Sequence, residues 1–397
     1  MLTEFSPATP IKQSEVFAGR RDQLEALQDA MWQAGQHAVI YGDRGVGKTS
    51  LAMVAQGLAR GEGLFTSLIT CDSTSTFASV WRQVFREIEV TYADEAGEEI
   101  ETNASYLLNG DVVTPDDVRL AFKVLSLSAP VVVFLDEYDV IAQSPEGPLF
   151  ANLIKILSDH GVGVTVVFVG VAEDVNKLIA DHASVQRVLA EVSMPRMDAE
   201  EQIEIVKRGF SAAGMTADDD VYSWIPLLSQ GMPAIVHQIG QQSGFAALKR
   251  NSYAVTSADV ETAIKVVVEK NLESISTVYD SAVFSSKPGT LFKTVALACA
   301  CAAADEKGFF SSPALRLPLK VITGKSYEIP AYSPHLNDFS KDRGPLLVKV
   351  GAGKTIRYRF VSPLIKPYIV LRALKEGQIT QEVLETLLSP GGERGSD

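Results

Sequence analysis

At 397 residues, 46% hydrophobic and 21% charged, the chain is too long for one core and reads as a globular protein of two or three domains. Its longest apolar runs, Val164 to Ala172 and Val295 to Ala304, fall short of the roughly 20 residues of a membrane-spanning helix. Met1-Leu2-Thr3-Glu4-Phe5 lacks the features of a signal peptide and Cys71, Cys299 and Cys301 lack metal-ligand spacing, so a reducing cytoplasmic setting with no membrane partner is expected.

Along the chain, the first strong signal is Ala38-Val39-Ile40-Tyr41, a buried-strand run, followed by Gly42-Asp43-Arg44-Gly45-Val46-Gly47-Lys48-Thr49 and a helical stretch from Ser50. Strand, glycine-rich loop and helix in that order make a P-loop. Wrapping a polyphosphate in main-chain N–H groups requires turns that Gly42, Gly45 and Gly47 adopt cheaply, with Val46 and Ser50 contributing to the cradle. Lys48 supplies charge to the β- and γ-phosphates, and the Thr49 hydroxyl is placed for Mg²⁺. The helix N-terminus favours the phosphates further. ATP or ADP with Mg²⁺ is therefore the expected cofactor.

Phe65 to Cys71 is a second strand, Phe77 to Ile88 an amphipathic helix, and the acidic stretch Tyr92 to Glu101 reads as a loop. Thr114-Pro115-Asp116-Asp117 has the composition of a helix start. Val131 to Leu135 is a β-branched run ending in Asp136 and Glu137, the Walker B form. It would deliver Asp136 to the Mg²⁺ shell and leave Glu137 to orient or deprotonate the attacking water. A core strand with acids at its solvent end is the plainer reading. Val164 to Gly170 and a strand near Glu191 to Met194 complete five strands alternating with helices, which predicts an α/β fold with a parallel sheet and helices on both faces.

Helical periodicity dominates from Ala199 to about Thr277, a separate helical lid. A helix near Leu291 to Ala304, shorter helical segments and two alternating runs around Gly351-Ala352-Gly353-Lys354 then predict a winged helix-turn-helix. The tail from Ser389 reads as disordered. The expected domains are 1–197, 198–286, 287–376 and a tail, 377–397.

Charge divides along the same lines. The net −13 combines residues 1–286, with 20 Lys+Arg against 39 Asp+Glu, residues 287–375, with 15 against 5, and residues 376–397, with 1 against 5. Lys349, Lys354, Arg357 and Arg359 cluster on the expected wing, where alternation with apolar residues predicts one cationic face suited to a phosphate backbone. A solvated basic face, or one docked on the chain's own acidic part, is the alternative.

Over about residues 11–375 the motifs together resemble AAA+ and STAND ATPases of the origin-recognition, replication-initiator-like type. Phe17-Ala18-Gly19-Arg20 is similar to that family's F-x-G-R segment, which implies that Phe17, Gly19 and Arg20 line the adenine pocket. Gly231-Met232-Pro233 is similar to the Gly-x-Pro of STAND lids, which implies that Pro233 reports the nucleotide state; a turn between two helices is the simpler reading. Initiators tend to carry a sensor-2 arginine in this neighbourhood, where this chain has Pro233, Ala234 and His237. The fourth strand ends Val169-Gly170-Val171-Ala172 where the family places a polar sensor-1 side chain, which implies slow hydrolysis. The resemblance also implies a homo-oligomer when ATP is bound, with an arginine finger supplied by a neighbour: Arg187 is the first candidate and Arg196 the second, either with a surface role as the alternative. Two functions follow from it. One is a nucleotide-dependent switch that binds double-stranded DNA through the winged helix. The alternative is a STAND-like signalling ATPase, for example in anti-phage defence, that recruits an effector protein.

Overall fold

The computed structural model describes residues 5, 18–33, 35–93, 99–108, 110, 112–172, 183–271, 273–286, 289–305 and 307–388. Phe17 and the tail from Ser389 lie outside them. The chain forms two compact units, residues 9–194 and residues 195–397 together with 1–8.

In the first unit the elements run α1 (Arg21–Trp32), β1 (His37–Gly42), α2 (Lys48–Gly61), β2 (Phe65–Thr70), α3 (Phe77–Glu87), β3 (Glu89–Ala93), β4 (Glu99–Asn103), α4 (Pro115–Leu125), β5 (Val131–Asp136), α5 (Asp139–Ala142), α6 (Gly147–Asp159), β6 (Val164–Val171), α7 (Ala183–Gln186) and β7 (Leu189–Met194). Five strands make a sheet in the order β2-β5-β6-β1-β7, and every pairing in it is parallel. The expected α/β architecture is thus present. Strands β5 and β6 are buried almost end to end, which explains their unbroken β-branched runs. An aromatic cluster of Phe77, Trp81, Phe85, Phe122, Phe150 and Phe168 fills one face of the sheet, with edge-on contacts such as Trp81–Phe122 at 5.5 Å. Helices α3 and α4 begin in capping boxes on Thr76 and Thr114, the second at the helix start expected from the sequence.

One expectation fails. The acidic stretch read as a loop carries an antiparallel pair, in which Val90 faces Thr102 and Tyr92 faces Ile100. The acids that suggested a loop are concentrated toward the connection, and residues 94–98 lie outside the described set.

The second unit continues with α8 (Ala199–Ala212), β8 (Thr216–Ala217), α9 (Asp219–Ser229), α10 (Pro233–Lys249), β9 (Ala254–Val255), α11 (Ser257–Val266), a π-turn at Val267–Asn271, α12 (Glu273–Val283), α13 (Phe292–Cys301), β10 (Phe310–Ser311), α14 (Arg316–Thr323), α15 (Ile329–Phe339), β11 (Leu347–Val350), β12 (Arg357–Phe360), α16 (Ile365–Lys375) and α17 (Gln381–Leu388). Strands β10, β12 and β11 form a small antiparallel sheet in that order. Around Arg372 on α16 a charged network joins Asp280 of α12 (2.7 Å) and Glu376 (2.7 Å), while Lys293 of α13 reaches Glu376 at 3.1 Å.

Phe5 belongs to this second unit and is buried between two glycines. A Cβ on Gly209 of α8 or Gly240 of α10 would lie 2.4 Å from the Phe5 ring. The ring meets Phe210 edge-on at 5.0 Å, and its carbonyl accepts a hydrogen bond from Gln241 Nε2 at 2.9 Å. The two glycines therefore serve the ring rather than the helices that carry them, since glycine inside a helix costs about 1 kcal/mol relative to alanine. Gly240→Ala should destabilise by about 1–3 kcal/mol through overpacking. Combined with Phe5→Ala it should be far less than additive in denaturant melts, because removing the ring removes the clash.

His37 opens β1 fully buried. Val166 N–H donates to its Nδ1 at 3.0 Å and Ser158 Oγ stands 3.1 Å from Nε2, so the neutral ring with a proton on Nε2 satisfies both contacts. Burial pushes its pKa down from 6.5 to about 3. The folded state refuses a proton that the unfolded chain accepts, so the stability this group contributes is complete above pH 6.5 and is lost as pH falls toward about 3. Between pH 7 and pH 5, denaturant titrations should show the parent losing about 2 kcal/mol more than His37→Gln, at about 1.4 kcal/mol per pH unit.

Candidate nucleotide-binding site

The P-loop lies where β1 ends and α2 begins. Gly42, Gly45 and Gly47 have φ of 151°, 86° and 97°, all in the region that side chains disfavour. Gly42 is doubly required, because a Cβ there would lie 2.5 Å from the Met194 carbonyl of β7. Val46 is buried beneath the loop, and Ser50 falls in the first turn of α2.

Lys48 is 8% exposed, and its Nζ donates to the main-chain carbonyls of Asp43 (2.8 Å) and Gly42 (3.1 Å). Burial pushes its pKa down to about 8, against the pull of the carboxylates of Asp139, Asp136 and Asp43. The ammonium is held by the same loop that would wrap a polyphosphate, and a phosphate would replace two neutral acceptors with an anionic one.

Asp136 ends β5, separated from β1 in the sheet by β6. Its Oδ2 accepts a hydrogen bond from Thr49 Oγ1 at 2.8 Å, and its Oδ1 accepts the N–H of Glu137 at 2.9 Å. Burial raises the Asp136 pKa, opposed by these two hydrogen bonds and by Lys48. The pair fits Mg²⁺ in kind and in spacing. Both are hard oxygen donors, and adjacent ligands of an octahedral ion at 2.0–2.1 Å stand about 3 Å apart. Among the described residues no group of three or more His, Cys, Asp or Glu forms a metal site.

Glu137 is exposed and has φ 53°, a left-handed conformation that costs a side-chain-bearing residue on the order of 1 kcal/mol or more. The turn that imposes it is fixed to β6: Tyr138 N–H donates to Val169 O at 2.9 Å, and the Tyr138 ring packs on Phe168 at 4.5 Å. Strand β6 itself ends in Val169, Gly170 and Val171, with Val171 directly beside Gly42 in the parallel register. The apolar strand end expected from the sequence is therefore next to the P-loop.

Two contacts were not legible in the sequence. Arg20, 2% exposed with φ 60°, reaches the P-loop itself, its Nη2 donating to Val46 O at 3.3 Å. Asp139 Oδ1 accepts the N–H of Val171 at 2.9 Å. Gly19 precedes Arg20 with φ 66°.

Arg187 is exposed in the first unit, between α7 and β7. Pro233 is buried at the first position of α10 in the second unit, after a turn in which Gln230 and Gly231 have φ of 54° and 80°. Arg196 packs its Cβ against that turn, where a Cβ on Gly231 would approach to 2.8 Å.

The expected single cationic face of the hairpin is corrected by its register. Lys349 pairs with Tyr358, whereas Arg357 and Arg359 pair with Val350 and Val348. Directly paired residues share a face, so Lys349 lies on the side opposite the two arginines. Lys349 Nζ donates to Asn337 Oδ1 at 2.8 Å, Arg357 is bridged to Asp305 at 2.9 Å, and Arg357 and Arg359 both stack over Phe309. Lys354 lies in the short turn Gly353–Thr355.

Residues 16–168 match the family model described as an AAA ATPase domain. The match covers about two fifths of the chain. ATP hydrolysis is the chemistry of that domain, and the P-loop and Walker B residues described above fall inside the matched stretch. Over 247 residues the chain is 23% identical to "Probable 26S proteasome regulatory subunit 6B" of Caenorhabditis elegans, a match that covers 59% of this chain and half the length of that relative. Among solved structures it is similar to a Walker-type ATPase of Pyrococcus abyssi, with a TM-score of 0.51 at 15% identity over 93% of this chain and 100% of the other. It is also similar to the Aeropyrum pernix Orc1 protein in complex with DNA, with a TM-score of 0.49 at 17% identity over 98% of each. The first of these shows a shared fold. No described helix is long and apolar enough to cross a membrane.

The strain at Glu137 separates its structural role from the chemical one expected of it. Glu137→Gly should raise the unfolding free energy by up to about 1 kcal/mol, because glycine accepts the left-handed turn. The same variant should lose ATP turnover by about 100-fold or more, as should Glu137→Gln, which leaves stability unchanged. Melting curves and phosphate release measured on both variants check this.

Proposed function

We propose that the protein is a slow ATP-hydrolysing switch. The observation that carries this reading is the Thr49–Asp136 hydrogen bond, which joins the P-loop helix to the Walker B strand at the spacing of two adjacent Mg²⁺ ligands. In this reading Lys48 and the loop N–H groups hold the polyphosphate, Thr49 and Asp136 hold Mg²⁺, and Glu137 orients or deprotonates water. The metal, when bound, neutralises charge on the transferring phosphoryl group. The apolar end of β6 supports slow turnover, because no side chain there can hydrogen-bond the γ-phosphate or the water. Gly19 and Arg20, with Phe17, are assigned to the adenine side, and Arg187 to completing a neighbour's site in an ATP-bound homo-oligomer.

The second unit is assigned two parts, a helical lid at 198–286 with Pro233 as reporter of nucleotide state, and a winged helix at 287–376. A helix, a short strand, two helices and a hairpin in that order support the second assignment. Its excess of nine positive charges supports duplex DNA as the partner, through Lys349, Lys354, Arg357 and Arg359 approached from both sides of the hairpin. The ties of Arg357 to Asp305 and Lys349 to Asn337 favour the other reading, a signalling ATPase whose basic hairpin is partly structural and whose output is an effector protein.

Lys48→Ala should abolish binding of a fluorescent ATP analogue, whereas Glu137→Gln should bind it normally and accumulate the assembled form on a sizing column. Duplex binding by the full chain with a slowly hydrolysed analogue should weaken steeply between 50 and 200 mM salt if phosphates are contacted, by about 10³ or more for six or more contacts. Binding that is absent at low salt sinks the DNA reading and leaves the effector reading.

A further inference from the structure

Beyond Asp136 and Glu137, the Walker B segment carries a third carboxylate, Asp139, that the reaction scheme above leaves without a task. We propose that Asp139 is a positioning residue for ATP hydrolysis: by accepting the Val171 N–H it fixes the end of β6 to the turn that holds Glu137. The inference rests on the ATPase reading of the site.

Strand β5 pairs with β6 only as far as Leu135 opposite Phe168. Beyond that point the chain turns through Glu137 in its left-handed conformation, and a main-chain ladder cannot continue. Two bonds replace it. Tyr138 N–H donates to Val169 O at 2.9 Å, and the next free amide of β6 on that side, Val171 N–H, is taken by the Asp139 side chain at 2.9 Å. The turn is closed internally by Ile141 N–H to Tyr138 O at 2.9 Å and Val140 N–H to Glu137 O at 3.2 Å. Glu137 is thus held between Asp136, whose other oxygen is on Thr49, and a segment stapled twice to β6.

The staple lands at a consequential place. Val171 pairs with Gly42, the first P-loop residue, so the Asp139–Val171 bond links Walker B to the strand end that abuts the phosphate cradle. Val171 offers no polar side chain, but its main-chain N–H is polar, and Asp139 makes that amide part of the site's bonding. Asp139 is also first among the carboxylates whose field acts on Lys48. Without the staple, the turn is free to relax out of the left-handed conformation and to carry Glu137 with it. Misplacing a catalytic group by about 1 Å costs on the order of 100-fold in rate.

The test compares Asp139→Ala with Asp139→Asn in the full chain. The amide oxygen of the asparagine can still accept from Val171, so the two variants separate the hydrogen bond from the charge. Asp139→Ala should lower kcat for ATP by about 10- to 100-fold with KM within about twofold, and Asp139→Asn should restore kcat to within about threefold of the parent. Amide exchange read by mass spectrometry on the peptide ending β6, in nucleotide-free protein, should speed up in Asp139→Ala and stay at the parent rate in Asp139→Asn. Unchanged kcat in the alanine variant overturns the proposal. So does an asparagine variant as slow as the alanine one, or exchange at the β6 end that neither variant alters. Lys48→Ala is the control for the reading beneath: a parent that does not hydrolyse ATP, or whose turnover survives that change, defeats the ATPase assignment, while the exchange measurement still decides the staple.

Discussion

The hydrogen bond between Thr49 and Asp136 is the constraint on which the site depends, because it requires the ends of β1 and β5 to stand one strand apart and level with each other. A parallel sheet meets that requirement as a consequence of its packing. With helices on both faces, each strand end faces the same edge, so the loop after β1 and the carboxylate after β5 emerge together. Strand β6 between them sets the gap, and its own end, Val171 beside Gly42, becomes the floor on which both rest. The nearly continuous burial of β5 and β6 is therefore a condition of the site as much as of the fold.

Desolvation does the rest. A buried lysine and a buried aspartate each lose hydration, and burial pushes Lys48 down and Asp136 up. What keeps the arrangement tolerable is that each has specific partners: carbonyls of Gly42 and Asp43 for the amine, a hydroxyl and an amide for the carboxylate. Those partners are weaker than a phosphate or a divalent ion would be. The buried Arg20 guanidinium against Val46 O extends this logic to the back of the loop, where a donor takes up a carbonyl that the tight turn leaves outside any helix.

How much of this was legible depended on range. The P-loop, the Walker B strand and the helix caps are local patterns in which residue type and backbone demand coincide, and they stand where the sequence puts them. The β3–β4 pair was misread because acidic composition outweighed a weak alternation of Val90 and Tyr92 with Ile100 and Thr102. The cationic face failed for a subtler reason. Lys349, Arg357 and Arg359 alternate correctly within each strand, yet the loop length places odd-numbered residues of β11 opposite even-numbered residues of β12, and one residue of register exchanges the faces. No within-strand pattern contains that information.

Asp139 and Phe5 show the remaining limit. Each is a common residue with no distinctive spacing, and each acquires a role only through a partner made available by the fold: a free strand-end amide in one case, a pair of glycines on neighbouring helices in the other. In both the anomaly was visible on the partner's side. Glycines at 209 and 240 inside long helices are costly unless something occupies the space where their side chains would be. A strand ending Val-Gly-Val where its neighbours carry functional polar groups leaves an amide that a tight turn must satisfy from outside the ladder. Reading such unexplained costs as requests for a partner points to the residue that answers them, and at the end of β6 that residue is a carboxylate three positions beyond Asp136.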